Sequence, residues 1–165
     1  MKDAVAYLET ILKAATANKI WKREDPAQLL VYMQLLEELV TAAFEIEENC
    51  SRREDAIIAG DREAGPLVDA HYVSQYSTST SWNCFPRSLK LKQYHNPYKA
   101  IKKFAKHSTL LQWKKFLNDC TEYALLKATI TDSLPPGAVL SGRLHLLRLI
   151  EACHLLDVRT ITSIQ

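Results

Sequence analysis

The stretch "PAQLLVYMQLLEELVTAAFEIEE", Pro26–Glu48, decides the fold class. Leu29, Met33, Leu36, Val40 and Ala43 recur at steps of three and four, and Tyr32, Leu39 and Ile46 widen that seam. Glu37, Glu38, Glu45 and Glu48 fall to the other side with Gln34 and Thr41. Residues three and four apart share one face of a helix, so the stretch predicts a long amphipathic helix with an acidic outer face. Asp25-Pro26 is its start signal: a side-chain acceptor at the cap, then a proline where no backbone donor is needed.

The same period extends outward in both directions. Upstream, Val5, Leu8, Ile11, Leu12 and Ala15 predict a first helix over 3–17. Downstream, "SRRE" at Ser51–Glu54 has the form of a capping box, which carries or restarts the helix to about residue 59. Gly60 and Gly65-Pro66 end it. After Asn96-Pro97 the helical period returns over 97–106, with Tyr98, Ile101, Phe104 and Ala105 inward. Ser108 then reads as the cap of a helix over 109–129, with Leu110, Trp113, Leu117, Cys120, Ala124 and Ala128 as its seam. "SLPPG" at 133–137 breaks the chain before a last helix over 138–157. Leucines occupy most of that helix's circumference, which predicts a place at the centre of a bundle or in an oligomer interface.

Residues 66–95 differ in kind. Helical period disappears, serine, threonine and aromatic residues crowd in, and "SLKLKQY" alternates at period two like a short exposed strand. The expectation is an irregular insertion, with a short hairpin as one form of it, between two helical halves. Tyr72, Tyr76 and Trp82, interleaved with small hydroxyl residues, have the composition of a recognition surface; the competing reading is a small aromatic core pinning the insertion. The whole chain, 1–165, reads as a single all-α domain, an antiparallel bundle of about five helices.

Bulk composition narrows the function classes. With 47% hydrophobic and 24% charged residues the chain is ordinary globular material. No apolar run approaches the roughly 18 residues that a membrane span needs. Asp3 and Glu9 interrupt the N-terminus where a secretory leader would be apolar, so the reading is cytoplasmic with no membrane partner. Cys50, Cys84, Cys120 and Cys153 form no C-x-x-C pair, which removes a zinc ribbon or dithiol redox centre, and no cofactor motif is present. Four glycines leave little scope for a phosphate-cradling loop.

Charge is the most unusual feature. The net charge of +2 divides into −6 over residues 1–69, +9 over 70–118 and −1 over 119–165, and the middle block contains no acid at all. Within it Lys99, Lys102, Lys103 and Lys106 stand at i, i+3, i+4 and i+7, one continuous stripe opposite Ile101 and Phe104. Lys114 and Lys115 extend it into the next helix. Such a stripe suits an acidic partner or a polyanion; with one arginine among nine cations it suits phosphate contact better than reading of base edges.

Two further constellations bear on catalysis. Glu151 and His154 have the Glu-x-x-His spacing of helical di-metal proteins, but that chemistry needs the motif twice, and the chain holds it once. Cys153 and His154 are adjacent, and neighbours on a helix diverge by about 100°, too far apart for a nucleophile–base pair. The leading expectation is therefore a non-catalytic protein acting through protein–protein interaction, as a homo-oligomer, with the acidic face of residues 34–48 meeting the lysine stripe in cis or between copies. The alternative is nucleic-acid association through residues 87–115. A metal enzyme centred on Glu151 and His154 is the distant third.

Overall fold

The computed structural model describes residues 2–17, 25–49 and 86–162. Its elements are α1 (Lys2–Thr16), α2 (Pro26–Asn49), α3 (Leu91–His95), α4 (Tyr98–His107), α5 (Leu110–Leu125), a 3-10 turn (Ile130–Asp132) and α6 (Pro136–Thr162). Among the described residues there is no strand, and the helices pack against one another.

The helix starts follow from local hydrogen bonding. The Asp25 carboxylate accepts from the Ala27 N–H at 2.9 Å, so α2 begins where the Asp-Pro signal put it. At α5 the cap is Thr109, not Ser108. The Thr109 hydroxyl accepts from the Gln112 N–H at 3.3 Å, and the Gln112 side chain accepts from the Thr109 N–H at 2.9 Å. That reciprocal pair satisfies two orphan donors, and Ser108 has no glutamine or glutamate three residues on with which to make it. Asn96 does not cap α4 with its side chain. α6 begins at Pro136, inside the expected breaker, because proline is tolerated in a helix's first turn, and it runs on to Thr162.

Two long helices organise the packing. At 24 and 27 residues, α2 and α6 span roughly 36 and 40 Å. α2 lies against α1, α5 and α4; α6 lies against α4, α1 and α3; α1 makes its most extensive contact with α5. Ring contacts fix the registers. Tyr7 of α1 stacks on Tyr32 of α2 at 3.9 Å, while at the far end of α2 Phe44 meets Phe104 of α4 edge-on at 6.2 Å. Phe104 in turn stacks on Trp113 of α5 at 4.4 Å, so the end of α2 sits beside the start of α5. At the opposite pole the Thr129 hydroxyl donates to the Thr16 carbonyl, tying the end of α1 to the link after α5. α6 comes close to the start of α5 at Gly142, where an added Cβ would lie 2.6 Å from the Phe116 ring, so only glycine fits there without moving the ring.

The apolar seams read from sequence are buried at their centres and half-buried at flanking members such as Val5, Met33 and Leu110. Leu8, Ile11, Leu29, Leu36, Val40 and Leu117 are all at or near zero exposure. α6 buries a broad face, from Val139 to Val158, and leaves Leu140 and Leu144 exposed. The strand expected in "SLKLKQY" is not formed: residues 87–89 bend and Leu91–His95 is helical. Its alternation was outweighed by two polar anchors, the Gln93 side chain accepting from the Lys90 N–H at 3.1 Å and a carboxylate from α6 taken up below. The remainder of the expected insertion, and the "SRRE" capping box, lie outside the described residues.

Because Phe104 joins α2, α4 and α5, Phe104→Ala is expected to cost about 3–5 kcal/mol of stability, the range for emptying a buried aromatic position. Chemical denaturation would measure it, and a loss below about 1 kcal/mol would show that these helices do not meet there.

Candidate interaction surface

α4 is a short helix with two sharply different faces. Ala100, Ile101 and Phe104 are buried, and Lys99, Lys102, Lys103 and Lys106 are all exposed on the opposite side. Lys115 is exposed on α5 and Lys114 half-buried beside it. α2, the acidic helix, packs on the apolar side of α4 through Phe44, so its glutamates do not cover the stripe. Among the described residues no carboxylate lies within ion-pair distance of Lys99, Lys103, Lys106, Lys114 or Lys115. The expected meeting of acidic face and lysine stripe within one chain is therefore absent there. Arg143 of α6 instead pairs with Glu9 of α1, its guanidinium donating at 2.9 and 2.6 Å.

An acid from α6 does reach the described part of the basic block. Glu151 is 5% exposed, and its carboxylate accepts from three successive backbone N–H groups. Arg87 and Ser88 donate to Oε1 at 2.9 and 3.1 Å, and Ser88 and Leu89 donate to Oε2 at 2.9 and 3.0 Å. One turn earlier, Arg148 Nε donates to the Ser88 carbonyl at 2.9 Å. Glu151 and Arg148 thus hold the bend at 87–89 as a pair, by charge-assisted bonds of the stronger kind. Both carboxylate oxygens are spent on backbone, so a metal shared with His154 would have to compete with these N–H donors. Among the described residues no group of three or more His, Cys, Asp and Glu side chains is arranged to hold a metal ion.

A ring cluster sits where α4, α5 and α6 converge. His107 and His145 stack at 3.9 Å with planes 16° apart, and Trp113 lies tilted against both. The Ser141 hydroxyl is 3.5 Å from His107 Nε2. Partial burial, with the His107, Arg148 and Lys103 charges in support, pushes the His145 pKa down to about 4. Burial lowers His154 as well. The buried indole N–H of Trp113 has no hydrogen-bond partner, and nothing among the described residues accounts for it.

The two described thiols are poor nucleophiles. Burial pushes Cys120 and Cys153 up to about 12, so neither supplies thiolate near neutrality. Tyr72, Tyr76 and Trp82 lie outside the described residues, as do His71 and Cys84. The Glu151–Arg148 clamp and the histidine pair were not read from the sequence as units. An i, i+3 Arg–Glu pair on an otherwise leucine-rich helix was the available signal for the first. For the second there was none, since 38 residues separate two histidines that only packing brings together.

No family model, curated protein or solved structure matches this chain.

Two outcomes are expected. Glu151→Gln turns an amide nitrogen toward backbone donors and removes the charge, costing about 3 kcal/mol by denaturant unfolding; a cost within about 0.5 kcal/mol would mean the clamp does not hold. His145, with a folded-state pKa below its unfolded value, resists a proton that the unfolded chain accepts. Its contribution is thus complete above about pH 6.5 and lost as pH falls toward 4. The loss is on the order of 1 kcal/mol, below the full linkage value because solvent reaches the ring. Stability measured from pH 7.5 to 4 should therefore fall less steeply for His145→Phe than for the parent.

Proposed function

We propose that this chain is a non-catalytic, cytoplasmic helical protein that works through protein–protein interaction, with the lysine stripe of α4 as the docking surface for an acidic partner. In this reading residues 1–165 form one domain, an antiparallel bundle, that self-associates as well as binding others. The observation that carries it is the isolation of Lys99, Lys103 and Lys106. They stand in a row about 10 Å long, exposed and without a carboxylate partner among the described residues, on a helix whose other face is locked into the core. Unpaired like charges at one-turn spacing repel, by a few tenths of a kcal/mol per pair, and an acidic ligand relieves that repulsion. Lys114 and Lys115 extend the same positive field along α5.

No helix among the described residues is long and apolar enough to cross a membrane, which agrees with a partner met in water. The second reading, phosphate contact with a nucleic acid through residues 87–115, draws on the same row. What favours it is composition: the stripe is all lysine, the residue of non-directional phosphate attraction.

Titration of fluorescent polyglutamate and of duplex DNA separates the two. The proposal expects polyglutamate to bind at low salt, to weaken steeply with added salt, and to lose at least about tenfold in affinity in a Lys99→Glu, Lys103→Glu, Lys106→Glu variant. Binding of DNA but not polyglutamate selects the second reading, and binding of neither ends both.

A further inference from the structure

A second surface, distinct from the stripe, carries an inference of its own. Between α2 and α5 runs an open groove of about 850 Å³. Near the start of α2 Leu30 and Met33 line it across from Leu125, with Glu122 beside that residue, and Glu37 and Asp119 line its middle. Toward the end of α2, beside the start of α5, its walls carry Lys114, Lys115 and the 78% exposed Leu111. The register set by Phe44, Phe104 and Trp113 fixes this order along the groove.

The outer face of α2 has the complementary order. Leu30, Val31 and Leu35 are about half exposed along its first three turns, an unusual density of bare aliphatic side chains on one helix. Glu38 and Glu45 then occupy the same face farther on, both exposed. Aliphatic residues come first and acids second on the helix; an aliphatic end comes first and lysines second in the groove. We infer that the α2–α5 groove receives α2 of a second copy of this chain, the two α2 helices running parallel about a two-fold axis, with Leu30, Val31 and Leu35 seated at the aliphatic end and Glu45 beside Lys114 and Lys115 of the other copy.

The parallel direction is a consequence of charge. Glu38 of the second copy is level with Glu37 and Asp119 in either direction, so Glu45 decides: antiparallel it would lie toward Glu122 and away from the lysines, and like charges brought together at an interface are costly. A two-fold arrangement makes the contact twice, since groove and helix belong to the same patch of each copy. It leaves the α4 stripe uninvolved, so self-association and binding of an acidic ligand are separable.

Sedimentation velocity from low- to high-micromolar concentration tests the inference. The parent chain is expected to dimerise with concentration. Lys115→Glu and Glu45→Lys should each weaken the dimer by about tenfold, and Val31→Asp by more, since it buries a charge. The double exchange Lys115→Glu with Glu45→Lys should recover most of the affinity. All three positions are exposed, and far-ultraviolet dichroism checks that the helices remain. A measurement without variants stands beside it: carbodiimide coupling of a mixture of light and ¹⁵N-labelled parent chains should give mixed-isotope Lys115–Glu45 or Lys114–Glu45 peptides. A chain that stays monomeric throughout, or a dimer indifferent to both charge reversals, or coupling only within one isotope, would overturn it. Loss of polyglutamate binding by the α4 variant with dimerisation intact bears on the stripe alone.

Discussion

Phe104 decides which way α4 faces, and the rest of the surface follows from that. Its ring is 1% exposed, stacked on Trp113 and met edge-on by Phe44. With Ile101 it holds one side of a ten-residue helix in the core. Lys99, Lys103 and Lys106 on the other side therefore face away from the acids of α2. A helix this short would be marginal in isolation, and tertiary packing of its apolar face is what keeps it folded. The stripe is the outer consequence of an inner contact.

A second constraint sets where the basic block begins. Glu151 reaches from α6 to three successive backbone N–H groups at 87–89, and Arg148 takes the carbonyl between them. The Glu151 carboxylate thus goes to backbone, not to lysine. A carboxylate that satisfied a lysine would have reduced the stripe; this one satisfies a bend and leaves the lysine field intact. The clamp also fixes the approach to α3 and α4, whose Tyr94 packs with Leu155 and Val158 on the same helix.

Helix existence was legible from period alone, because burial on one face imposes a spacing that the sequence must display. The centres of the seams of α1, α2, α4 and α5 are buried, while flanking members such as Val5, Met33, Tyr98 and Leu110 are half-buried and Ala128 lies beyond the end of α5. Boundaries were less legible: Thr109 rather than Ser108 caps α5 because Gln112 stands at the right distance from it, and α6 starts at Pro136 because proline suits a first turn. The one wrong element, the strand in "SLKLKQY", shows a local alternation overruled by a partner 60 residues away. The lysine stripe was legible as a stripe. Whether acids covered it was not, because that depends on which face of α2 meets α4, and both faces of α2 have something to offer.

The exposed surface rests on Lys99, Lys103 and Lys106 having no carboxylate partner among the described residues. That is tested most directly by the rate at which each amine is acylated in the folded protein, read site by site by mass spectrometry at low and high salt. All three are expected to react like fully exposed lysines, with rates that barely change as salt is raised. Strong protection at low salt, released by high salt, would mean that an acidic segment of the same chain already covers the stripe.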